Sequence, residues 1–226
     1  MNNAVHTSSL IERIRAELRL KLLLTVALNV VVWTPYLTLQ HLHFFPATPM
    51  PMSFIDTAIG FSPGAVWAYL SVYLLLPIGP FLMVDRERIF CYARGIVVMA
   101  IVAVIVFVFF PTICARPQGG PTNALYRAFV AFDNPYHAFP SLHAAFAIYS
   151  ALCAIEVGRA LRWLTGFEIV FWIWAAVILY ATLATRQHVF ADIVAGGLLG
   201  LGAYQFCLRR SQSNNLLQRT EVSYEN

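Results

Sequence analysis

Residues 96–110 read IVVMAIVAVIVFVFF, with no polar side chain among them. A chain carrying several such runs has few ways to fold, and this one carries six. Stretches of roughly 20 mainly apolar residues, the length a helix needs to cross the hydrocarbon core, fall at about 20–39, 64–84, 93–113, 141–157, 164–184 and 189–208. In lipid a spanning segment has to satisfy its own backbone donors and acceptors, which a helix does. The sequence therefore predicts an all-α polytopic membrane protein with six transmembrane helices. Composition agrees: 59% of the 226 residues are hydrophobic and 12% are charged, where soluble domains average about a quarter charged.

The runs delimit one catalytic-sized domain over 20–208, preceded by a cytoplasmic amphipathic segment over 1–19 and followed by a polar cytoplasmic tail over 209–226. Ser9 and Glu12 have capping-box spacing, and Leu10, Ile11, Ile14 and Leu18 share a helical face, as in a short interfacial helix. The N-terminus is polar and then charged, and its first apolar run is long enough to span, so it does not read as a cleavable signal. Cys91, Cys114, Cys153 and Cys207 are scattered and form no C-x-x-C pair. They read as small buried apolar residues. His41, His43 and His137 read as structural.

A net charge of +4 would raise the question of nucleic acid in a soluble protein. Here the basic residues lie mostly between apolar runs, so they report topology and no nucleic-acid partner is expected. With six spans, 12 of the 15 basic residues fall on the side of the two termini. The positive-inside rule places that side in the cytoplasm. The opposite side holds only Arg116, Arg127 and Arg186. Three arginines placed against the topological preference point to anion binding.

Those arginines share their loops with other reactive side chains. Before the fourth run lies Arg116-Pro117, then Arg127, then Pro140-Ser141-Leu142-His143; before the sixth lies Arg186-Gln187-His188, with Asp192 following. His188 and Asp192 are four apart and share a helical face. A carboxylate there can hold one ring N–H and raise the basicity of the other nitrogen, which makes a histidine a nucleophile or base. Ser141 can cap the fourth helix, whose first-turn N–H groups suit an anion. Arginine forks match phosphate oxygens. An ionisable cluster at one bilayer face is costly unless it is used.

Pro140-Ser141-Leu142-His143 followed by His188-x-x-x-Asp192 resembles the type 2 phosphatidic acid phosphatase superfamily, which shares its core with vanadium haloperoxidases. That family's motifs are K-x6-R-P, P-S-G-H and S-R-x5-H-x3-D. Arg116-Pro117, Ser141 with His143, and His188 with Asp192 fall at the corresponding places in order. The sequence departs from the pattern at Phe109 for the lysine, Leu142 for the glycine and Thr182 for the third-motif arginine, for which Arg186 is the candidate substitute. The P-S-L-H form looks more like the branch containing inositol phosphorylceramide synthases.

The resemblance implies a lipid phosphatase at the outer face of a plasma or bacterial inner membrane. His188 would attack phosphorus, oriented by Asp192, and His143 would protonate the leaving oxygen. Arg116, Arg186, Arg127 and Ser141 would bind substrate. The implied partners are a membrane lipid phosphate and, in the alternative of phospho-headgroup transfer, a lipid alcohol acceptor. Tyr126, Phe129, Phe132, Tyr136 and Phe139 are candidates for the acceptor's wall. No cofactor and no metal are expected, since three carboxylates at metal-ligand spacing are absent. A metal-binding or transport protein using His143, His188 and Asp192 is the non-enzymatic alternative, opposed by arginines that repel a cation. A serine protease using Ser141 is opposed by the two-residue separation of Ser141 and His143, which turns them apart on a helix.

Overall fold

The computed structural model describes residues 9–42, 44–117, 123–133 and 135–209. His43, the first eight residues and the tail from position 210 lie outside the described residues.

The chain begins with α1 (Leu10–Arg15) and turns into α2 (Leu18–Leu39). Ser9 and Glu12 cap α1 reciprocally, the Glu12 N–H on Ser9 Oγ (3.2 Å) and the Ser9 N–H on Glu12 Oε2 (2.8 Å). A connecting stretch contains the two-residue strand β1 (Thr48–Pro49) and α3 (Phe54–Ala58). The second apolar run is not one helix. It comprises a 3-10 turn (Pro63–Ala65), α4 (Val66–Leu70), α5 (Val72–Leu75) and α6 (Ile78–Leu82). Ser71 Oγ donates back to the Ala68 carbonyl (2.6 Å) at the first break. Pro77, at the next break, and Pro80, within the first turn of α6, have no N–H to donate.

Then follow α7 (Arg86–Phe109), β2 (Thr112–Ile113), α8 (Ala124–Phe132), α9 (Leu142–Ala160), α10 (Phe167–Ala184) and α11 (Phe190–Ala203), the last continued by a π-helical turn over Tyr204–Arg209. The expected third span at 93–113 is shifted. Asp85 accepts the Glu87 N–H (3.0 Å) and starts the helix seven residues earlier, and Pro111 ends it, leaving Thr112 and Ile113 to pair parallel with Thr48 and Pro49. Arg86, Arg88 and Arg94 lie in the helix itself.

Among the described residues five helical stretches are long and apolar enough to cross a membrane: Leu18–Leu39, Pro63–Leu82, Arg86–Phe109, Phe167–Ala184 and Phe190–Leu208. α9, read from the sequence as the fourth span, is of similar length but less apolar, being rich in alanine and carrying Glu156 and Arg159. It is the centre of the bundle, packed against α11, α10, α6 and α7, and a helix surrounded by other helices has little need of bulky apolar side chains. α11 lies directly on it. A methyl group built at Gly196 would overlap the Ser141 carbonyl, and one at Gly200 would overlap that of Ala145. The two backbones touch.

At one end of the bundle Arg13 and Lys21 are buried instead of facing water. Arg13 donates to the Leu82 carbonyl (3.4 Å), and Lys21 Nζ to the carbonyls of Phe81 (2.8 Å) and Arg13 (2.7 Å). Phe81 and Leu82 end α6, where carbonyls lack intrahelical partners, so both cations cap a helix terminus. All four cysteines are buried and free. At the other end meet the start of α9, the end of α10 and the start of α11.

Candidate active site

The first turns of α9 and α11 are joined through backbone: the Ser141 N–H donates to the Asp192 carbonyl (3.1 Å). Ser141 Oγ accepts from the Ala144 N–H (3.3 Å), and Asp192 Oδ2 accepts from the Val189 N–H (2.9 Å). Each residue caps its own helix and both are fully buried. The glycine contact of α9 with α11 brings His143 and His188 to the wall of one cavity of about 460 Å³.

His188 Nδ1 lies 2.7 Å from the Ala138 carbonyl. A carbonyl only accepts, so Nδ1 carries the proton and Nε2 carries the lone pair. Asp192 Oδ2 is 3.5 Å from the same Nδ1, too long for a good hydrogen bond. This differs from the sequence expectation, in which Asp192 takes the proton. The carbonyl fixes the tautomer, and the carboxylate places a negative charge beside the ring. Asp192 Oδ1 is buried without a hydrogen-bond partner. That makes the negative charge costly to hold there and available to a positive charge developing on His188.

His143 stacks on Tyr69 (ring centroids 3.8 Å apart, 15° between planes) and meets Tyr73 edge-on at 5.7 Å. Its Nε2 is buried without a hydrogen-bond partner. The two tyrosines fix the plane of the ring.

Arg116 also lines the cavity. Its guanidinium is paired with the Asp133 carboxylate (3.0 Å) and bonded to the Asp133 carbonyl and to Gln187 Oε1. Asp133 accepts in addition from Tyr36 Oη (2.6 Å) and Gln40 Nε2 (2.9 Å). The network thus ties the end of α2 to the arginine.

A family model of the PAP2 superfamily matches residues 50–206, more than half of the chain, and that range contains every residue of this site except those supplied by α2. The chain belongs to the PAP2 superfamily. No curated protein and no solved structure matches the chain. The PAP2 region begins after α2, so Tyr36 and Gln40 come from a helix outside the family match.

Within the PAP2 site the sequence candidates separate into two groups. Arg116, His143 and His188 line the cavity, with Asp192 behind His188. Arg186 does not. Its backbone is left-handed (φ 56°), and its fork donates to the carbonyls of Asp56 (2.7 Å) and Ile59 (3.0 Å). Those carbonyls lie at the end of α3, which gives the arginine a capping task and removes it as a substitute phosphate ligand. Arg127 is exposed on α8 and lies off the cavity. Ser141 Oγ is engaged in its cap, and the serine is likewise not a cavity residue. Of the aromatic candidates Phe129, Phe132 and Tyr136 line the cavity and Phe139 does not. Tyr126 is buried with its hydroxyl on the Thr185 carbonyl (3.0 Å), and burial raises its pKa above the ordinary phenol value.

Sequence reasoning missed Asp56. Its Oδ2 accepts from the Ser53 N–H (2.7 Å) and its Oδ1 from the Phe190 N–H (2.8 Å), so one buried carboxylate caps both α3 and the start of α11. Ser53-x-x-Asp56 has capping-box spacing and offered a local signal; the bond to Phe190 had none. Gly196-x-x-x-Gly200 carries the small-x3-small spacing of close helix contacts. Gln187 and Asp133 gave no sign of their tie to Arg116. Burial pushes the thiol of nearby Cys114 up to about 12.

Proposed function

We propose that this protein hydrolyses a lipid phosphate ester through a covalent intermediate on His188. One observation carries the reading: the Nδ1 proton of His188 is committed to the Ala138 carbonyl, which leaves the Nε2 lone pair on a ring at the cavity wall. Nε2 attacks phosphorus and the bond from phosphorus to the lipid oxygen breaks. His143, holding a proton once the negatively charged phosphate lies beside it, gives that proton to the lipid oxygen and releases the lipid alcohol. Water then attacks the phosphorus–nitrogen bond, returns a proton to His143 and frees His188. Arg116 carries the charge on the non-bridging oxygens, where phosphoryl transfer needs stabilisation. Asp192 stabilises the positive charge on His188 while the bond to phosphorus exists. No step calls on a metal, so turnover is expected to survive a chelator.

Headgroup transfer to a lipid alcohol is the second reading, and Asp133 favours it. Its carboxylate offsets the charge of Arg116, while Arg186 is occupied with carbonyls. A singly charged phosphodiester suits such a site better than a doubly charged monoester. The arrangement of six spans with both termini cytoplasmic and the site facing outside rests on the 12-to-3 basic asymmetry. Cysteine-accessibility labelling tests it: introduced cysteines at 40–62 and 123–133 should label from outside, and labelling from the cytoplasm alone reverses the topology.

The deciding experiment incubates purified protein in lipid nanodiscs with lipid phosphates and labelled phospholipids, with and without a lipid alcohol. Mass spectrometry follows free phosphate, free phospho-headgroup and new lipids. Label found only in a new lipid replaces hydrolysis by transfer. No turnover of any phosphoester removes both readings.

A further inference from the structure

The cavity does not end at the histidines. It continues along α2 to the opposite end of the bundle, with Tyr36, Val32, Leu28, Leu24 and Lys21 marking its course at helical spacing. At 1.5 Å per residue the distance along α2 from Tyr36 to Lys21 is about 22 Å. Across from α2 stand Tyr73, Leu76 and Pro80 of the broken segment, Ile96 of α7 and Phe146 of α9. The polar residues of the α2 wall turn their polar atoms back on the helix: Thr25 Oγ1 donates to the Lys21 carbonyl (2.8 Å) and Asn29 Nδ2 to the Thr25 carbonyl (2.8 Å). At the floor Lys21 Nζ is held by the carbonyls of Arg13 and Phe81. Hydrogen-bonding and charged groups that can meet a ligand are therefore gathered at the histidine end, and the rest of the channel is apolar.

The cavity of about 460 Å³ thus runs beside about 22 Å of α2, long and apolar enough to take an extended hydrocarbon chain. Water is a poor occupant, because a buried water needs two to four polar partners. The channel is continuous with the phosphate end, so its occupant carries a polar head on a long tail. α2 packs on α7 and on α6, and it meets α5 through the stack of Trp33 on Tyr73 (6.3 Å).

We infer that the channel holds an extended hydrocarbon tail of the lipid whose phosphoester reacts at His188, and that the inner face of α2 sets the tail length accepted. The inference rests on the catalytic reading of the polar end. It makes α2, which lies outside the residues matched by the family, the specificity element of the enzyme.

Two measurements test this. The first compares kcat/KM for long-tailed and short-tailed forms of the same lipid phosphate. Leu28→Trp fills the channel midway, and it should lower the long-to-short ratio by about tenfold or more, a discrimination that apolar pockets commonly reach. Leu24→Trp, deeper, should lower it less, and Val30→Trp on the exposed face should leave it unchanged. A wild-type ratio in active Leu28→Trp overturns the inference. The second needs no turnover. His188→Ala protein in nanodiscs is irradiated with a lipid phosphate bearing a diazirine at the end of its tail, and the labelled residues are mapped. Labelling at Lys21, Leu24 or Phe81 supports the channel. Labelling confined to Leu23, Val26 and Val30, the exposed face of α2, overturns it. Tail labelling in the channel together with wild-type protein that turns over no phosphoester would retain the lipid site and remove the enzymatic reading.

Discussion

Two parts of the cavity's surround are held by different forces. The α9–α11 wall is backbone against backbone: Gly196 and Gly200 bring α11 onto the carbonyls of Ser141 and Ala145, and a hydrogen bond joins Ser141 to Asp192. α2 packs on α7 but buries little of itself. Of its apolar stretch 6% is buried within the protein, against 39% for that of Phe190–Leu208. Among the described residues its polar links to the site include the two hydrogen bonds of Tyr36 and Gln40 to Asp133 and that of His137 Nε2 to the Leu39 carbonyl (2.6 Å). Reacting groups need positions fixed to a fraction of an ångström, which close helix contact provides. A wall that accommodates a tail tolerates change. Substitutions on the first wall should therefore act on the rate, and those on the second on which lipid is used.

The largest effect is expected from the histidines. His188→Ala and His143→Ala should each lower turnover by about 10³-fold or more while the protein still inserts, because each removes a reacting group. Full activity of His188→Gln at normal expression would leave the first wall without its nucleophile. Asp192→Asn should cost about 10² to 10⁴-fold, in the range seen for orienting carboxylates. Activity should remain measurable, because Ala138 still holds the Nδ1 proton. Complete loss would give Asp192 a direct part in the reaction.

Arg116→Lys comes next. It keeps the charge and loses the fork, so both kcat and KM should suffer, and an unchanged kcat would confine the arginine to its pairing with Asp133. Gly196→Ala should lower stability by about 1–3 kcal/mol, as overpacking does, with a fall in rate as α9 and α11 separate. Thermal unfolding in nanodiscs measures the first and single-turnover kinetics the second. Wild-type stability would mean that the two backbones can part freely, and the contrast between the walls would fail. Arg186→Lys is the smallest. It should shift stability slightly with KM for the phosphoester unchanged, since its partners are the carbonyls of α3. A raised KM would return Arg186 to the phosphate site.

How far the site was legible depended on the range of the interaction. The His188–Asp192 pair lies four residues apart, a spacing visible in the letters, although His188 precedes the helix, which begins at Phe190. The Ser141 cap is equally local. Arg186 is the instructive contrast, two residues before His188. The left-handed backbone at Arg186 turns its fork to carbonyls more than a hundred positions away in the chain, and nothing near it in the sequence marks them. Asp56 is similar: its cap of Ser53 has a local pattern, whereas its bond to Phe190 exists because α3 is folded onto the start of α11. The broken course of Pro63–Leu82 was half visible in Pro77 and Pro80, while the break at Ser71 depends on a hydroxyl returning to its own backbone.

Hydropathy is a sum over residues, and in lipid each helix satisfies its own backbone. Sequence alone was therefore enough for the all-α membrane class, for the approximate position of the helices and for the placing of His143, His188 and Asp192 at the starts of two of them. The choice of partner for a buried polar group is not a sum. It depends on which carbonyls a helix end elsewhere leaves without a donor and which side chains the packing brings within reach. Only the tertiary structure could pair Arg116 with Asp133, send Arg186 to α3, bond His188 Nδ1 to the Ala138 carbonyl and leave between α2 and α9 a long apolar channel.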